Sequence, residues 1–573
     1  MHYLLLKAVI EEISQNLIGH RVDQVLLLDK LTIALNLFHP AFGENYLYLS
    51  ADSELAALFA VKKVPSFLNL INSFLSSCQN FLKGKRLTKV ELPPWERNVH
   101  LEFTNPKDLT KIHLYLEIMG KHSNILLVNQ DLIIIDAIKR YGESQSRYRE
   151  VLPGVPYTPP PKPEAFLLSN LTYDTFSKII MQNPDLTLGD LFKKYIVGLG
   201  TILLNEVFLL SNLNLNLLCR QLTLAQIEAL FSTLVEISNK KTAPVLYYQN
   251  NVPWYPSPFE LITLKSFAKI PGSANEVAVN YYLYHRNFRE FNNLKLSLKG
   301  KVQKKLNNLK QRLAELEVKI KEYDNASTLK NMGDLLLTYQ HQIPKGSSKI
   351  EIFDWEQNLI SIPLDPAKSP VENAESYYKK YQKAKKGLNS AQTQLQAAKE
   401  ELEYYKTLDF QIETAQTLED LEDIKQELGL GEIPKNKKAK KSPPRFLTFT
   451  TSQGKKVFVG KSNLQNDYLT FKVAKDNDIW LHAKNIPGAH VILKSEGEPD
   501  EQSLVEAAII AATYSRARQG KKIPVDFTLR KFVQKPAGAK PGFVIYRNEK
   551  TILVDPNPDL YIERLPGFTR GKP

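Results

Sequence analysis

The stretch YYKKYQKAKKGLNSAQTQLQAAKEELEYY (377–405) decides the architecture of this chain. Tyr377, Tyr381, Ala384, Leu388, Ala391, Leu395, Ala398, Leu402 and Tyr405 alternate four and three residues apart, which is the seam of a coiled coil. The same alternation runs through Val302, Leu306, Leu309, Leu313, Leu316, Ile320 and Tyr323. Two seams separated by about fifty residues predict one antiparallel hairpin over 280–430. A homodimerising coil is the alternative reading. The connector carries strand patterns at KIEIF (349–353) and LISIPL (359–364), so a small element caps the tip. An arm of ~36 residues at 1.5 Å per residue reaches ~50 Å. Such an arm suits a large partner.

Upstream of the coil, Leu5, Leu6, Val9, Ile10, Ile13 and Leu17 follow helical spacing. Strand-like runs follow at 22–28, 32–38, 45–50, 98–103, 111–119, 124–129 and 132–138, divided by a helical stretch near 64–83. This predicts a mixed α/β domain over 1–163, ending at the proline cluster YTPPPKP (157–163). Residues 164–240 read as helical, and Gly198-Leu199-Gly200 separates two helical patterns. A helix-hairpin-helix turn of this kind offers backbone amides to a phosphate. A plain helix turn with a Gly C-cap is the alternative. Runs at 243–249 and 258–264 are expected to return to the first sheet, within 241–279.

Downstream, 445–573 reads as a second α+β module, with strands at 446–450, 455–460, 468–474, 489–494, 525–529, 543–547 and 551–554. Its one clear helix is expected to start at a Ser503/Glu506 capping box and to end at Gly520, with Arg516, Arg518, Lys521 and Lys522 around that end. The net charge of +14 is uneven: 435–573 carries +13, and a linker over 431–444 holds five of its lysines. A localised positive field usually means a polyanion such as RNA. A solvated lysine linker beside an ordinary basic domain is the alternative. The fold class is thus multidomain α+β, and 573 residues suffice for roughly three to five domains.

Two cysteines, Cys78 and Cys219, exclude a disulfide scaffold and a multi-cysteine zinc site. No run approaches ~18 apolar residues, and the opening MHYLLLKAVIEEISQNL has no signal-peptide pattern. A cytoplasmic location without membrane contact is the expectation. No metal-ligand spacing, GxSxG elbow, Walker loop or dinucleotide fingerprint is present, so no metal, no other cofactor and no catalytic residue are expected. Two clusters stand out. In LPPWERNVHLEF (92–103), Arg97 can meet a phosphate or base edge with Glu96 orienting it, or form a strand-edge ion pair. In DNDIWLHAKNIPGAHVILK (476–494), Trp480, His482, Lys484 and His490 suit stacking and phosphate contact. They equally suit a buried Trp with core histidines.

These segments together resemble the NFACT family, in its bacterial ribosome quality-control branch. The resemblance rests on LEIMGKHSNILLVN (116–129), REVLPGVPYTPPP (149–161), LDPAKSPVENAESYYKKYQKAKKGL (364–388) and two long stretches, 456–494 and 507–546. It runs in order over essentially the whole chain. It implies an NFACT-N domain, a helix-hairpin-helix domain, a coiled-coil hairpin and a C-terminal NFACT-R RNA-binding domain. It further implies a factor that binds large ribosomal subunits obstructed by peptidyl-tRNA and contacts rRNA. Such a factor recruits alanyl-tRNA and supports untemplated alanine tailing of stalled chains for degradation. Peptide-bond formation then belongs to the ribosome, so no enzyme is expected. A small helper protein of the same pathway is a further implied partner. The tRNA contacts fall on Glu96, Arg97, Gly198 and Gly200. The RNA or ribosome contacts fall on Trp480, His482, Lys484, His490, Arg516 and Arg518. The sequence departs from the family pattern at two places: Glu96 stands where the family has Asp, and no acidic residue precedes Glu11. A nucleic-acid-processing enzyme of glycosylase-like architecture and a fibronectin-binding surface protein are the competing classes.

Overall fold

The computed structural model describes residues 1–64, 72–146, 148–161, 166–430, 446–495 and 499–560. The basic linker 431–444 lies outside the described residues. The chain divides into two compact units, Met1–Arg286 and Asn287–Pro573.

The first unit is built on a nine-stranded antiparallel sheet. Its strands are β1 (Arg21–Asp29), β2 (Thr32–His39), β3 (Gly43–Ser50), β4 (Ala57–Val61), β5 (Arg86–Glu91), β6 (Asn98–Thr104), β7 (Lys111–Glu117), β8 (Asn124–Asn129) and β9 (Ile134–Ala137). They lie in the order β4-β3-β2-β1-β5-β6-β7-β8-β9. Two helices, α1 (Tyr3–Leu17) and α2 (Ser73–Leu82), pack into the sheet's core. The six α1 residues with helical spacing are all buried there, as amphipathicity requires. Asn72 caps α2 by accepting the Leu75 N–H at 2.7 Å.

The helical part pairs β10 (Phe166–Leu167) in parallel with β11 (Ile196–Val197) and contains α3 (Tyr173–Gln182), α4 (Leu188–Tyr195), α5 (Thr201–Leu210) and α6 (Leu224–Asn239). Thr172, Thr187 and Thr223 cap α3, α4 and α6 through their side chains. The expected return to the first sheet is corrected. β12 (Val245–Gln249), β13 (Val252–Ser257) and β14 (Ala268–Pro271) form a separate three-stranded sheet, β13-β12-β14. Residues 258–264 are not a strand. The buried Glu206 carboxylate accepts the Ile262 N–H at 2.7 Å and both the N–H and hydroxyl of Thr263, curling 262–264 into a 3₁₀ turn. Val245 and Tyr247 pack on the helical core while Leu246 packs on the main one, so this small sheet joins the two.

Helix α7 (Ala274–Asp324) leads into the second unit. It is followed by α8 (Ala326–Thr338), the hairpin β15 (Lys349–Phe353) with β16 (Leu359–Pro363), and α9 (Pro370–Thr414). Ser369, Pro370 and Glu372 start α9 as a capping box with Pro at N1. The arms run antiparallel: Gln303 bonds Asp409 at 2.8 Å, Lys305 pairs with Glu401 at 3.2 Å, and Arg312 bonds Gln394 at 3.4 Å. Leu316, Ala391 and Ala398 are buried on the seam. The arm is longer than expected, because α9 alone has 45 residues, about 68 Å at 1.5 Å each.

The chain continues through α10 (Leu418–Glu427) to a six-stranded sheet. It comprises β17 (Leu447–Thr450), β18 (Lys456–Val459), β19 (Ile479–Ala483), β20 (Val491–Leu493), β21 (Ile523–Leu529) and β24 (Lys550–Val554), in the order β17-β18-β20-β19-β21-β24. The short pair β22 (Val533–Gln534) and β23 (Ile545–Tyr546) stands apart. Residues 468–474 are not a strand either. Ser462 caps α11 (Asn463–Tyr468), accepting the Gln465 N–H, and the helix runs on as a π turn to Val473. The main helix, α12 (Glu501–Thr513), is capped by Asp500 rather than by Ser503. Ser503 is buried and bonds Thr451, while Glu506 accepts from Ser452, so neither side chain forms the cap. α12 stops at Thr513, well before Gly520.

Candidate nucleic-acid interface

Glu96, Arg97, Gly198 and Gly200 line one cleft of about 380 Å³, with His2, Tyr3, Trp95, Asn98 and Met119 among its other walls. Several local features bring them together. Pro93 and Pro94 set the entry to β6, and the Glu96 N–H donates to Pro93 O at 3.1 Å. Trp95 is left-handed at φ 59°, a strained conformation for a bulky residue. Its ring stacks on Tyr3 at 4.7 Å. On the far side, Gly198 has φ 120°, and a Cβ there would lie 2.7 Å from Trp95 Cε3. Only glycine lets the turn after α4 approach this closely. Gly200 is the N-cap of α5 and has no side chain to cap it. The first α5 amides therefore meet no capping side chain, as an anion site requires.

Arg97 is solvent-accessible at the mouth of this concavity, and desolvation by the surroundings lowers its pKa, which the Tyr282 hydroxyl partly offsets. Its own backbone extends the β6–β7 ladder, since Arg97 O accepts the Ile118 N–H at 2.8 Å. Among the described residues no carboxylate pairs with its guanidinium. The proline wall has its own support. Arg149 pairs with the fully buried Glu117 and donates to Glu117 Oε1 at 2.8 Å. Arg149 also donates to Thr158 O, and Tyr157 accepts from Asn98 at 3.0 Å. Burial opposes the Arg149 charge, but the hydrogen bonds and attraction of Glu117 outweigh it and raise its pKa. This pair fastens Pro160 and Pro161 beside Ile118 and Met119. The stretches 116–129 and 149–161 thus meet at one buried ion pair. His2, Tyr3, Asn98, Met119, Pro160 and Pro161 were not among the expected contacts; the run of prolines and Trp95 beside Arg97 were the visible signals.

The second unit sorts its expected residues differently. Trp480 is fully buried, flanked by His482 at 5.7 Å, Tyr546 at 4.8 Å and the edge of His490 at 5.2 Å. It packs with Leu469, Ile492 and Val533, so no base can stack on it. His490 is buried too and bonds Thr470 at 2.8 Å. Burial pushes its pKa well down and holds His482 near about 4, so both rings are neutral. Trp480 and His490 are corrected to core residues, and His482 is half-buried beside them. Lys484 is engaged by the buried Asp526 and by Thr551, each at 3.2 Å. Arg518 lines a small cavity of about 30 Å³ together with Asp420 and Lys461. Arg516, Lys521 and Lys522 are exposed on the loop after α12 and remain available to phosphates.

A nine-stranded sheet with a helical hairpin, a long coiled-coil arm and a basic C-terminal module define a multidomain α+β protein. The chain belongs to the NFACT family: the NFACT N-terminal and middle domains match residues 2–445, and the NFACT protein RNA binding domain matches 445–548. The protein named Rqc2 homolog RqcH from Bacillus subtilis (strain 168) is 32% identical over 571 residues, covering 96% of this chain and 97% of its own. Its namesake from Streptococcus suis (strain 05ZYH33) is 29% identical, with 96% of each chain covered. A solved structure of the C-terminal part of the fibronectin/fibrinogen-binding protein from Streptococcus suis is 29% identical, covers 47% of this chain and 96% of its own, and has a TM-score of 0.38. Among the described residues no helix is long and apolar enough to cross a membrane.

Proposed function

We propose that this protein is a ribosome quality-control factor. In this reading it binds large ribosomal subunits obstructed by peptidyl-tRNA and recruits alanyl-tRNA. It thereby supports untemplated alanine tailing, with the ribosome forming the peptide bonds. The RNA-binding domain at 445–548 and the Rqc2-homologue relatives support the RNA and quality-control parts. The convergence of Glu96, Arg97, Gly198 and Gly200 in one cleft carries the tRNA part. The hairpin amides suit a phosphate there, and Arg97 suits a phosphate or a base edge. The arm suits reach across the subunit, with its tip against ribosomal protein or RNA. The exposed cations Arg516, Lys521 and Lys522 suit rRNA phosphates. A small helper protein completes the set of partners. The test is sequencing of the small RNA that copurifies with tagged protein: alanine tRNA should be enriched, and its absence would remove the tailing part of the reading.

A further inference from the structure

The stretch RKFVQKPAGAKPGFVIYRN (530–548) holds five cations and no acid. Within it β22 and β23 form a ribbon, in which Val533 pairs with Tyr546 and Gln534 with Ile545. Side chains alternate across a strand, and exposure alternates with them over 543–547. Val533, Val544 and Tyr546 turn inward and pack on the Trp480 core. Phe543, Ile545 and Arg547 turn outward, with Phe543 and Ile545 each 44% exposed. Such a face suits a partner that offers negative charge and apolar planes together.

Bonds from beneath hold the ribbon in place. The Tyr546 hydroxyl donates to the buried Asp526 at 3.0 Å, and the Thr528 hydroxyl donates to Arg547 O at 2.9 Å. At the loop end, the Gly542 N–H donates to Asp467 Oδ1 at 2.9 Å. Phe543 follows Gly542 at that tie, and Tyr468, 37% exposed, follows Asp467. Tyr468 in turn stacks on Phe446 at 6.1 Å. Three of the five cations are engaged within the protein: Arg530 by Asp476 at 3.0 Å, Lys535 by Asp467, and Lys540 by the Tyr404 ring at 4.1 Å. Lys531 and Arg547 are exposed. The Arg547 N–H donates to Phe532 O at 3.3 Å, which sets these two cations at one end of the ribbon.

Unpaired RNA fits this face. Its bases stack on aromatic side chains while its phosphates meet cations. A duplex offers the phosphates but keeps its base faces stacked inside. A bilayer fits less well, because its hold scales with buried apolar area and two side chains supply little. We propose that the outward face of the β22–β23 ribbon binds single-stranded RNA, with an unpaired base stacked on Phe543 and the neighbouring phosphates held by Arg547 and Lys531. This rests on the reading that the C-terminal module binds RNA, and it adds the state of that RNA and the residues that hold it. Trp480, closed to any base, is the floor on which the ribbon rests.

The test is equilibrium binding of the full-length protein to a labelled single-stranded RNA of about ten nucleotides, and to the same sequence as a duplex, across a salt series. An Arg97→Ala background removes the contribution of the N-terminal cleft. The single strand should bind more tightly than the duplex. Phe543→Ala should weaken single-strand binding by about tenfold, the size of one lost stack, and leave the duplex and the salt slope unchanged. Phe543→Trp should keep the affinity, because it returns a flat ring. Arg547→Ala should flatten the single-strand slope of log K against log salt by about 0.7, because a cation on a phosphate releases a counterion. Thermal melting reports that each variant is folded. A folded Phe543→Ala that binds the single strand as before overturns the proposal and leaves RNA binding by the module intact. An equal loss on the duplex, or a duplex bound more tightly than the single strand, overturns base stacking. Phosphatidylglycerol vesicles that retain the protein but not Phe543→Ala, with single-strand affinity unchanged, assign the face to lipid instead. A protein with affinity for neither RNA removes the reading on which the proposal stands.

Discussion

Gly198 and Gly200 are two residues apart, yet they answer to different constraints. Gly198 combines φ 120° with a virtual Cβ only 2.7 Å from the Trp95 ring, whereas Gly200 has φ −72° and ordinary contact with His2. Gly198→Ala should therefore cost about 1–3 kcal/mol in thermal or urea unfolding and reduce tRNA binding. Gly200→Ala should fold as the wild type does. Equal melting curves for the two would contradict the packing described. A titrating residue makes the second prediction at this scale. Glu427 Oε1 accepts from Tyr404 and Asn463, each at 2.8 Å, while its Oε2 is buried with no hydrogen-bond partner among the described residues. Burial, reinforced by Asp467 and Asp423, raises its pKa to about 7 against the bonds from Asn463 and Tyr404. The folded state therefore holds a proton that the unfolded chain has lost by pH ~5. Its contribution to stability falls as pH rises from about 4.5 to about 7 and is level above that. Glu427→Gln should remove that decline and gain on the order of 2 kcal/mol at pH 8. Arg97 and the glycine turn were legible because a Pro-Pro-Trp strand entry and a Gly-x-Gly between helices are local signals. Trp480 and His490 were not, because an aromatic and imidazole cluster has the same spelling whether it faces water or a core.

Among the elements, the coil was the most legible, since its seam is written at 4–3 spacing in both arms. The seam is tight where α9 places alanines: Ala391 and Ala398 face Leu316. Ala398→Leu should overpack that contact and cost about 1–3 kcal/mol, read as a lower melting temperature. A neutral result would mean the arms are not packed there. Strand-like alternation, by contrast, does not say which sheet a strand joins, and β12 and β13 carry no signal that separates them from the nine-stranded sheet. At 258–264 the tertiary bonds from Glu206 override the local pattern, and at 468–474 the cap at Ser462 does so. The ion pair that joins β7 to the proline wall lends itself to a double-mutant cycle. Arg149→Met should leave Glu117 buried and uncompensated, costing about 3–5 kcal/mol, and pairing it with Glu117→Met should recover much of that loss. Additive losses would mean that the two side chains do not depend on each other.

For the whole molecule, charge is the organising quantity. The sum of +1 over residues 1–434 conceals a segregated arm: 291–314 holds seven cations and no acid. Lys299, Lys301, Lys304, Lys310 and Arg312 are exposed there. Net charge per domain could not show this, because the facing part of α9 carries Glu400, Glu401 and Glu403. If ~6–10 phosphates are neutralised on a large subunit, affinity should fall ~10³–10⁵-fold between 50 and 200 mM salt. A flat response would separate these cations from RNA. The central claim is that one chain engages both a large subunit and a tRNA, through different parts. It is tested most directly by pulling tagged protein from lysate, sedimenting it through a gradient and sequencing the bound small RNA, for the wild type and for Arg97→Ala. The wild type should comigrate with large subunits and enrich alanine tRNA, and Arg97→Ala should keep the subunit and lose the tRNA. Neither RNA with the wild type, or an unchanged tRNA yield with Arg97→Ala, would contradict the account.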